Sequence, residues 1–276
     1  MGTAPLLPPR LLNPLSVTFE RDWRAVRALT WASLGLSVLG PAQAAFLRLQ
    51  PDAPPRIRRA FHRLLCRAMG MKVDVLGAPV EGRPTLFAAN HISWVDIPVL
   101  GSQILASFVA KAEVGQWGMV GRLSDLQRTI YVERERRTRS REQSGVIAER
   151  MAAGHSIILF PEGTSTSGRT VRPFKSSLFA IAETGELDVT VQPVTLAYTH
   201  INGLPMLRSS RHKIAWVGDM DLAPHAWELL GLGKVRAVLQ FHEPVRRSDF
   251  ANRKELARHC ERVVAEGLLR ANRGEL

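Results

Sequence analysis

The sequence predicts an α/β fold: a mixed, largely parallel sheet flanked by helices and preceded by an N-terminal membrane-binding helical region. Two observations predict it. From Met71 onward, short β-branched runs alternate with helical stretches, the pattern that builds strand–helix–strand units. Ahead of them, residues 1–75 hold eleven Lys/Arg against four Asp/Glu, a net of +7 and over half of the chain's +12. The expected division is a membrane-associating helical leader over 1–70 and one enzyme-sized domain over 71–276, large enough to bury a core without covalent staples.

The leader begins with an uncharged run from Ala28 to Leu47, between Arg27 and Arg48. Twenty helical residues would just cross a hydrocarbon core of ~30 Å. Thr30, Ser33, Ser37, Gln43 and the Gly40-Pro41 pair weaken that span, so the run predicts a weak single crossing or a re-entrant hairpin. The late start of the apolar run and the arginines that follow it argue against a cleaved signal peptide. Between Arg56 and Met69, Ile57, Phe61, Leu64, Leu65 and Ala68 recur at helical spacing, with Arg56, Arg59, Arg63 and Arg67 opposite. Such a helix either lies in an anionic lipid interface or packs on the domain with its arginine face in water.

Beyond the leader, strands are predicted at Lys72–Leu76, Thr85–Ala89, Ser107–Ala110, Thr129–Val132, Ser156–Phe160, Val189–Ala197, Lys213–Val217 and Lys234–His242. Helices are predicted around Val95–Gly101, Trp117–Leu126, Thr138–Ala153, Phe174–Thr184, Pro224–Leu232 and Asp249–Ala271. Ligand sites of open α/β sheets gather beyond the carboxyl ends of strands. Three such ends carry reactive residues: Asn90-His91, Glu133-Arg134 and Pro161-Glu162-Gly163-Thr164. Asp96 stands five residues after His91, where a strand turns into a helix. Imidazole takes a proton near neutral pH, and a carboxylate on its other nitrogen fixes its tautomer. The plainer alternative is a loop histidine beside an aspartate that satisfies helix amides. The glycine and hydroxyl residues of 163–168 suit close approach of an anion, and Arg169, Arg172 and Lys175 add positive charge beside them.

Several classes are excluded by missing residues. There is no Gly-Lys-Ser/Thr phosphate loop, no GxGxxG after a strand and no HExxH. Two cysteines, Cys66 and Cys260, make neither a disulfide framework nor a four-ligand zinc site, and a reducing compartment is expected. Ser167 stands where a GxSxG elbow needs glycine, which argues against a serine hydrolase. The basic balance calls for an anionic partner. The six tryptophans mostly sit in apolar runs rather than beside basic clusters, so a membrane surface is favoured over nucleic acid.

Four segments together resemble the glycerolipid acyltransferase family, of the 1-acyl-glycerol-3-phosphate acyltransferase type. The NHxxxxD motif is matched by Asn90, His91 and Asp96. A hydrophobic strand ending in arginine is matched by Thr129–Arg134, with Arg128 where glycine is common. FPEGTRS is matched by Phe160–Thr164, with Ser165 in place of arginine. A V-x-P-V strand is matched at Val191–Val194. The resemblance implies that His91 is the general base on the acceptor hydroxyl and Asp96 its orienting partner, while Arg134, Glu162 and Gly163 line the head-group site. Thr164 and Lys175 complete the candidate substrate-binding set. It also implies direct attack on an acyl thioester, with acyl-CoA or acyl carrier protein as donor, a lysolipid as acceptor, and no metal or bound cofactor. The implied location is the inner membrane, with the catalytic domain facing the cytoplasm. The hydroxyl-rich 164–168 run, Pro173–Ser177 and Trp216–Met220 are similar to bacterial lyso-ornithine lipid O-acyltransferases, so either acceptor is expected. The alternatives are a thioesterase that uses the same pair on water, and a non-catalytic basic membrane-binding module.

Overall fold

In the computed structural model, which describes residues 14–49, 56–132, 140–183 and 188–276, the leader is two helices, α1 (Pro14–Leu49) and α2 (Arg56–Ala68). The body follows as β1 (Met71–Leu76), β2 (Thr85–Ala89), α3 (Asp96–Gly101), β3 (Ala106–Lys111), α4 (Gly118–Leu126), β4 (Ile130–Val132), α5 (Ser140–Ala152) and β5 (Ser156–Leu159). It closes with β6 (Thr190–Ile201), β7 (Leu204–Pro205), α6 (Leu222–Gly231), β8 (Val235–Phe241), β9 (Val245–Arg246) and α7 (Arg253–Asn272).

The strands join in one mixed sheet ordered β1-β8-β6-β2-β5-β3-β4, with β7 and β9 paired to β6. The run from β6 to β4 is parallel, while β8 crosses β6 antiparallel and carries β1 beside it. Every residue of β2 is buried, as expected for a strand covered on both faces. Strand alternation then divides its side chains. Phe87 and Ala89 join Ile158, Leu196 and Tyr198 in a core closed by α1, α2, α3 and α6. Leu86 and Ala88 join Ile157, Leu159 and Val191 in a second core closed by α5 and α7. The ends of β2 and β5 thus lie side by side near the middle of the sheet.

Several expectations need correction. The Ala28–Leu47 run is neither a hairpin nor a span: α1 continues unbroken through Pro41, and among the described residues no helix is long and apolar enough to cross a membrane. Side chains dock it on the body. Gln43 donates to the Leu126 carbonyl at 3.2 Å, and the Trp227 indole of α6 donates to Asp22 at 3.0 Å. Ala25 and Ala28 enter the core, and Gly35 lets Leu64 of α2 come into contact.

In α2 the fully buried line is Arg58, His62 and Cys66, with the expected apolar stripe only half-buried beside it. The helix is covered on two sides, by α1 and by α3, so a single-stripe reading fails there. Lys213–Val217 is not a strand. The Ile214 and Ala215 amides close a turn on Arg211, and the Trp216 amide bonds the Ile92 carbonyl at 3.1 Å. Ser176–Glu183 is a 3₁₀ helix where an α-helix was expected, and Thr184 lies outside the described residues.

The α2–α3 contact yields a stability test. A Cβ on Gly101 would come within 2.3 Å of the His62 ring, which is itself buried. Gly101→Ala is expected to destabilise the fold by about 1–3 kcal/mol through overpacking. The same change in a His62→Ala background should cost clearly less, because the space it needs is then open. Chemical denaturation of the four proteins measures both, and equal costs would show that His62 is not the obstacle.

Candidate active site

The site is built where β2 ends. Asn90, 1% exposed, follows the strand and clamps β6 through two bonds: its amide donates to the Leu196 carbonyl at 2.9 Å, and its own carbonyl accepts the Leu196 amide at 2.8 Å. This pins the chain immediately before His91. His91 is held by its main chain as well, since its amide donates to Glu162 Oε1 at 2.7 Å. The ring stacks on Phe160 with centroids 4.1 Å apart and planes 18° apart.

Asp96, at the start of α3, is fully buried. Its carboxylate folds back over the turn, as the spacing predicts. Oδ2 accepts His91 Nδ1 at 2.7 Å and the amides of Ile92 and Ser93 at 2.6 and 3.0 Å. Oδ1 accepts the Tyr198 hydroxyl at 2.8 Å. A carboxylate on Nδ1 places the ring proton there, so Nε2 is the nitrogen left to accept a proton. The His91 side chain stays 20% exposed and the Asp96 side chain 0%. That pairing of an accessible imidazole with a shielded partner fits a general base.

Glu162 sits beneath the pair. It is 2% exposed, and its second oxygen accepts the Arg172 amide at 2.7 Å. Burial outweighs the two amide donors and pushes this carboxyl up to about 7. Gly163 adopts φ +74°, a left-handed conformation that costs glycine nothing, and a Cβ there would come within 2.7 Å of Lys175 Nζ. Thr164 and Lys175 are exposed at the rim with Arg169 and Arg172. The structure therefore gathers His91, Asp96, Glu162 and Gly163 at one point, with Thr164 and Lys175 outside them. Glu133 and Arg134 lie outside the described residues.

Four further interactions escaped the sequence reading. Tyr198 was beyond the predicted end of β6. Ser165, where the family resemblance expects arginine, turns its hydroxyl to the Trp216 carbonyl, and Thr166 bonds the His91 carbonyl at 2.9 Å through its amide. Trp94, inside the catalytic turn, donates to His225 Nδ1 at 3.0 Å. Period-two alternation from Val194 through Leu196 to Tyr198 was the available signal for the first.

Glu162 supplies a pH test. Its folded value near 7 lies above the ordinary value of 4.5, so ionising it costs native stability. Relative to Glu162→Gln, the wild type should lose on the order of 3 kcal/mol as pH rises from about 4.5 to about 7. Thermal melts of both proteins across that window measure the difference, and a constant difference would mean that burial does not govern this carboxyl.

The comparisons place the chain in a family. The acyltransferase family model matches residues 72–197, which contain every site residue expected from the sequence but not Tyr198. A lyso-ornithine lipid O-acyltransferase from Brucella abortus is 41% identical over 237 residues, covering 84% of this chain and 88% of that protein. A 1-acyl-sn-glycerol-3-phosphate acyltransferase from Neisseria gonorrhoeae is 28% identical over 164 residues, covering 59% and 61%. The crystal structure of the 1-acyl-sn-glycerophosphate acyltransferase PlsC from Thermotoga maritima superposes with a TM-score of 0.67 at 21% identity, covering 91% of this chain and 96% of that one, and so shares the fold. With a strand-end histidine and aspartate at its centre, the chain belongs to the acyltransferase family and is an acyltransferase.

Proposed function

We propose that the enzyme moves a fatty acyl group from a thioester donor to the hydroxyl of a lysolipid, with lyso-ornithine lipid as its better acceptor and 1-acyl-glycerol-3-phosphate as a second one. The observation that carries the reaction is the bond from His91 Nδ1 to buried Asp96, which leaves Nε2 for the substrate. Nε2 takes the hydroxyl proton as the oxygen attacks the thioester carbonyl. The tetrahedral oxyanion collapses, the carbon–sulfur bond breaks, and the imidazolium returns its proton to the departing thiolate. This chemistry uses no acyl-enzyme, metal or bound cofactor. Either acyl-CoA or acyl carrier protein supplies the thioester, and Arg169, Arg172 and Lys175 at the rim suit the phosphate that both donors carry.

Ser165 favours the ornithine acceptor. A phosphate monoester carries up to two negative charges and pairs best with planar guanidinium, whereas position 165 offers a hydroxyl already given to Trp216. The carboxylate and ammonium of an ornithine head group need less positive charge. His91→Ala should lower acyl transfer by ~10²–10⁴-fold while the protein remains folded, and Asp96→Asn should act in the same direction through the ring tautomer. Assays of both lysolipids with one donor are expected to give the larger kcat/KM for lyso-ornithine lipid. Wild-type turnover by folded His91→Ala, or a clear preference for the glycerophosphate, would overturn the corresponding half of the proposal.

The acceptor is a lipid, and α1 offers the surface to meet it at the cytoplasmic face of the inner membrane. Phe19, Trp23, Trp31, Leu34 and Val38 stand 53–73% exposed on the side opposite Ala25, Ala28 and Gly35. Apolar area of this kind buries into a headgroup layer, and tryptophan suits its boundary. Changing Trp23, Trp31, Leu34 and Val38 to serine should weaken vesicle binding at least tenfold at both low and high salt. Changing the exposed Arg56, Arg63 and Arg67 to glutamine should weaken it at low salt only, because screening removes that contribution. Vesicle sedimentation at two ionic strengths separates the two, and unchanged binding in the serine variant would remove α1 from the interface.

A further inference from the structure

Asp96 Oδ1 faces away from His91, and the partner that reaches it is Tyr198, on β6 and past every sequence motif. Both residues are buried, at 0% and 2% exposure. Oδ2 already serves His91 and two amides, so the Tyr198 hydroxyl is what holds the other half of the carboxylate. A carboxylate anchored at Oδ2 alone could pivot about that oxygen. Tethered at Oδ1 as well, it keeps one plane, and with it the direction of its bond to Nδ1. We propose that Tyr198 is a positioning residue for acyl transfer: it fixes the plane of the Asp96 carboxylate and thereby the orientation of the His91 ring. This inference rests on the roles given above to His91 and Asp96.

The surroundings fit the assignment. Burial and the neighbouring Asp96 hold the Tyr198 hydroxyl far above its ordinary value of 10, so it keeps its proton and remains a donor. The other titratable groups facing this cluster come from separate elements: Glu162 after β5, bound to two backbone amides, Cys66 from α2, and His225 from α6, bound to Trp94. None of them offers a second donor to Oδ1. The strand itself is tied to the catalytic turn two residues earlier, where Leu196 pairs with Asn90. Tyr198 and Leu196 thus lock both ends of the NHxxxxD segment to one rigid strand.

The chain's two tyrosines, Tyr131 and Tyr198, permit a graded test. Tyr198→Phe keeps the ring and removes the hydroxyl. The expectation is a roughly tenfold lower kcat with KM for both substrates near wild type, since neither substrate touches Tyr198. The acid limb of the kcat/KM profile should move to higher pH, because the carboxylate charge is no longer shared with a donor and favours protonated imidazole more strongly. Replacing tyrosine with a fluorinated analogue in a Tyr131→Phe background strengthens that single donor, so the same limb should move to lower pH. Tyr131→Phe with ordinary tyrosine is the reference.

Opposite shifts in the two proteins establish the role. Unchanged kcat and an unmoved limb in both would overturn it and leave Tyr198 as packing. If Tyr198→Phe does not fold, the fluorinated enzyme decides alone by the presence or absence of its shift. Activity in His91→Ala would instead remove the reading on which the inference rests, whatever Tyr198 does.

Discussion

A single buried carboxylate organises this enzyme. Asp96 is cut off from solvent, and a charge in that position is tolerated only when donors replace the water it lost. It gathers four of them: an imidazole, two successive amides and a phenol. Each donor comes with a structural demand. The amides require the 91–96 turn to curl around the carboxylate, the imidazole sets the direction of the catalytic ring, and the phenol requires β6 to run alongside. The first helical turn of α3, the end of β2 and the middle of β6 are therefore placed relative to one atom group. Loss of any one donor leaves a buried oxygen less than satisfied, so on the proposed mechanism stability and catalysis depend on the same bonds.

Glu162 repeats the device one layer away. Its two oxygens take the amides of His91 and Arg172, joining the catalytic turn to the loop after β5. Thr166 returns a second link to the His91 carbonyl, and the Trp216 amide takes that of Ile92. The 163–175 loop is thus bolted to the 91–96 turn largely by backbone groups, which leaves its exposed side chains free to vary without disturbing His91. Ser165 adds a bond of its own, from its hydroxyl to the Trp216 carbonyl.

Much of the site was legible because its logic is local. A buried strand, an NHxxxxD turn and a glycine that takes positive φ each have a short-range signature, and β2 lies where its apolar run ends on both sides. What was illegible depends on packing. β6 was expected to stop at Ala197, yet pairing with β8 carries it to Ile201. The stripe on α2 assumed one neighbour, but with α1 and α3 on two sides the buried line became Arg58, His62 and Cys66, with Arg58 bonded to the Gln127 carbonyl. Arg128 illustrates the converse. It adopts φ +57°, so a glycine at this position relieves a strain that arginine must bear, and the family preference has a backbone cause.

The same packing ties α1 to the 91–96 turn. α1 rests on α6, where Trp227 holds Asp22, and half a turn earlier on α6 His225 accepts the indole of Trp94 from the catalytic turn. Burial lowers the His225 imidazole below its ordinary value, which favours the neutral ring that this bond needs. Two bonds through one short helix therefore separate the exposed tryptophans of α1 from the residues between His91 and Asp96. Under the function proposed above, a lysolipid keeps its chain in the bilayer while its hydroxyl reacts, so the exposed face of α1 and His91 Nε2 must keep a set spacing. The bonds from α1 to α6 and from α6 to the 91–96 turn are what hold that spacing.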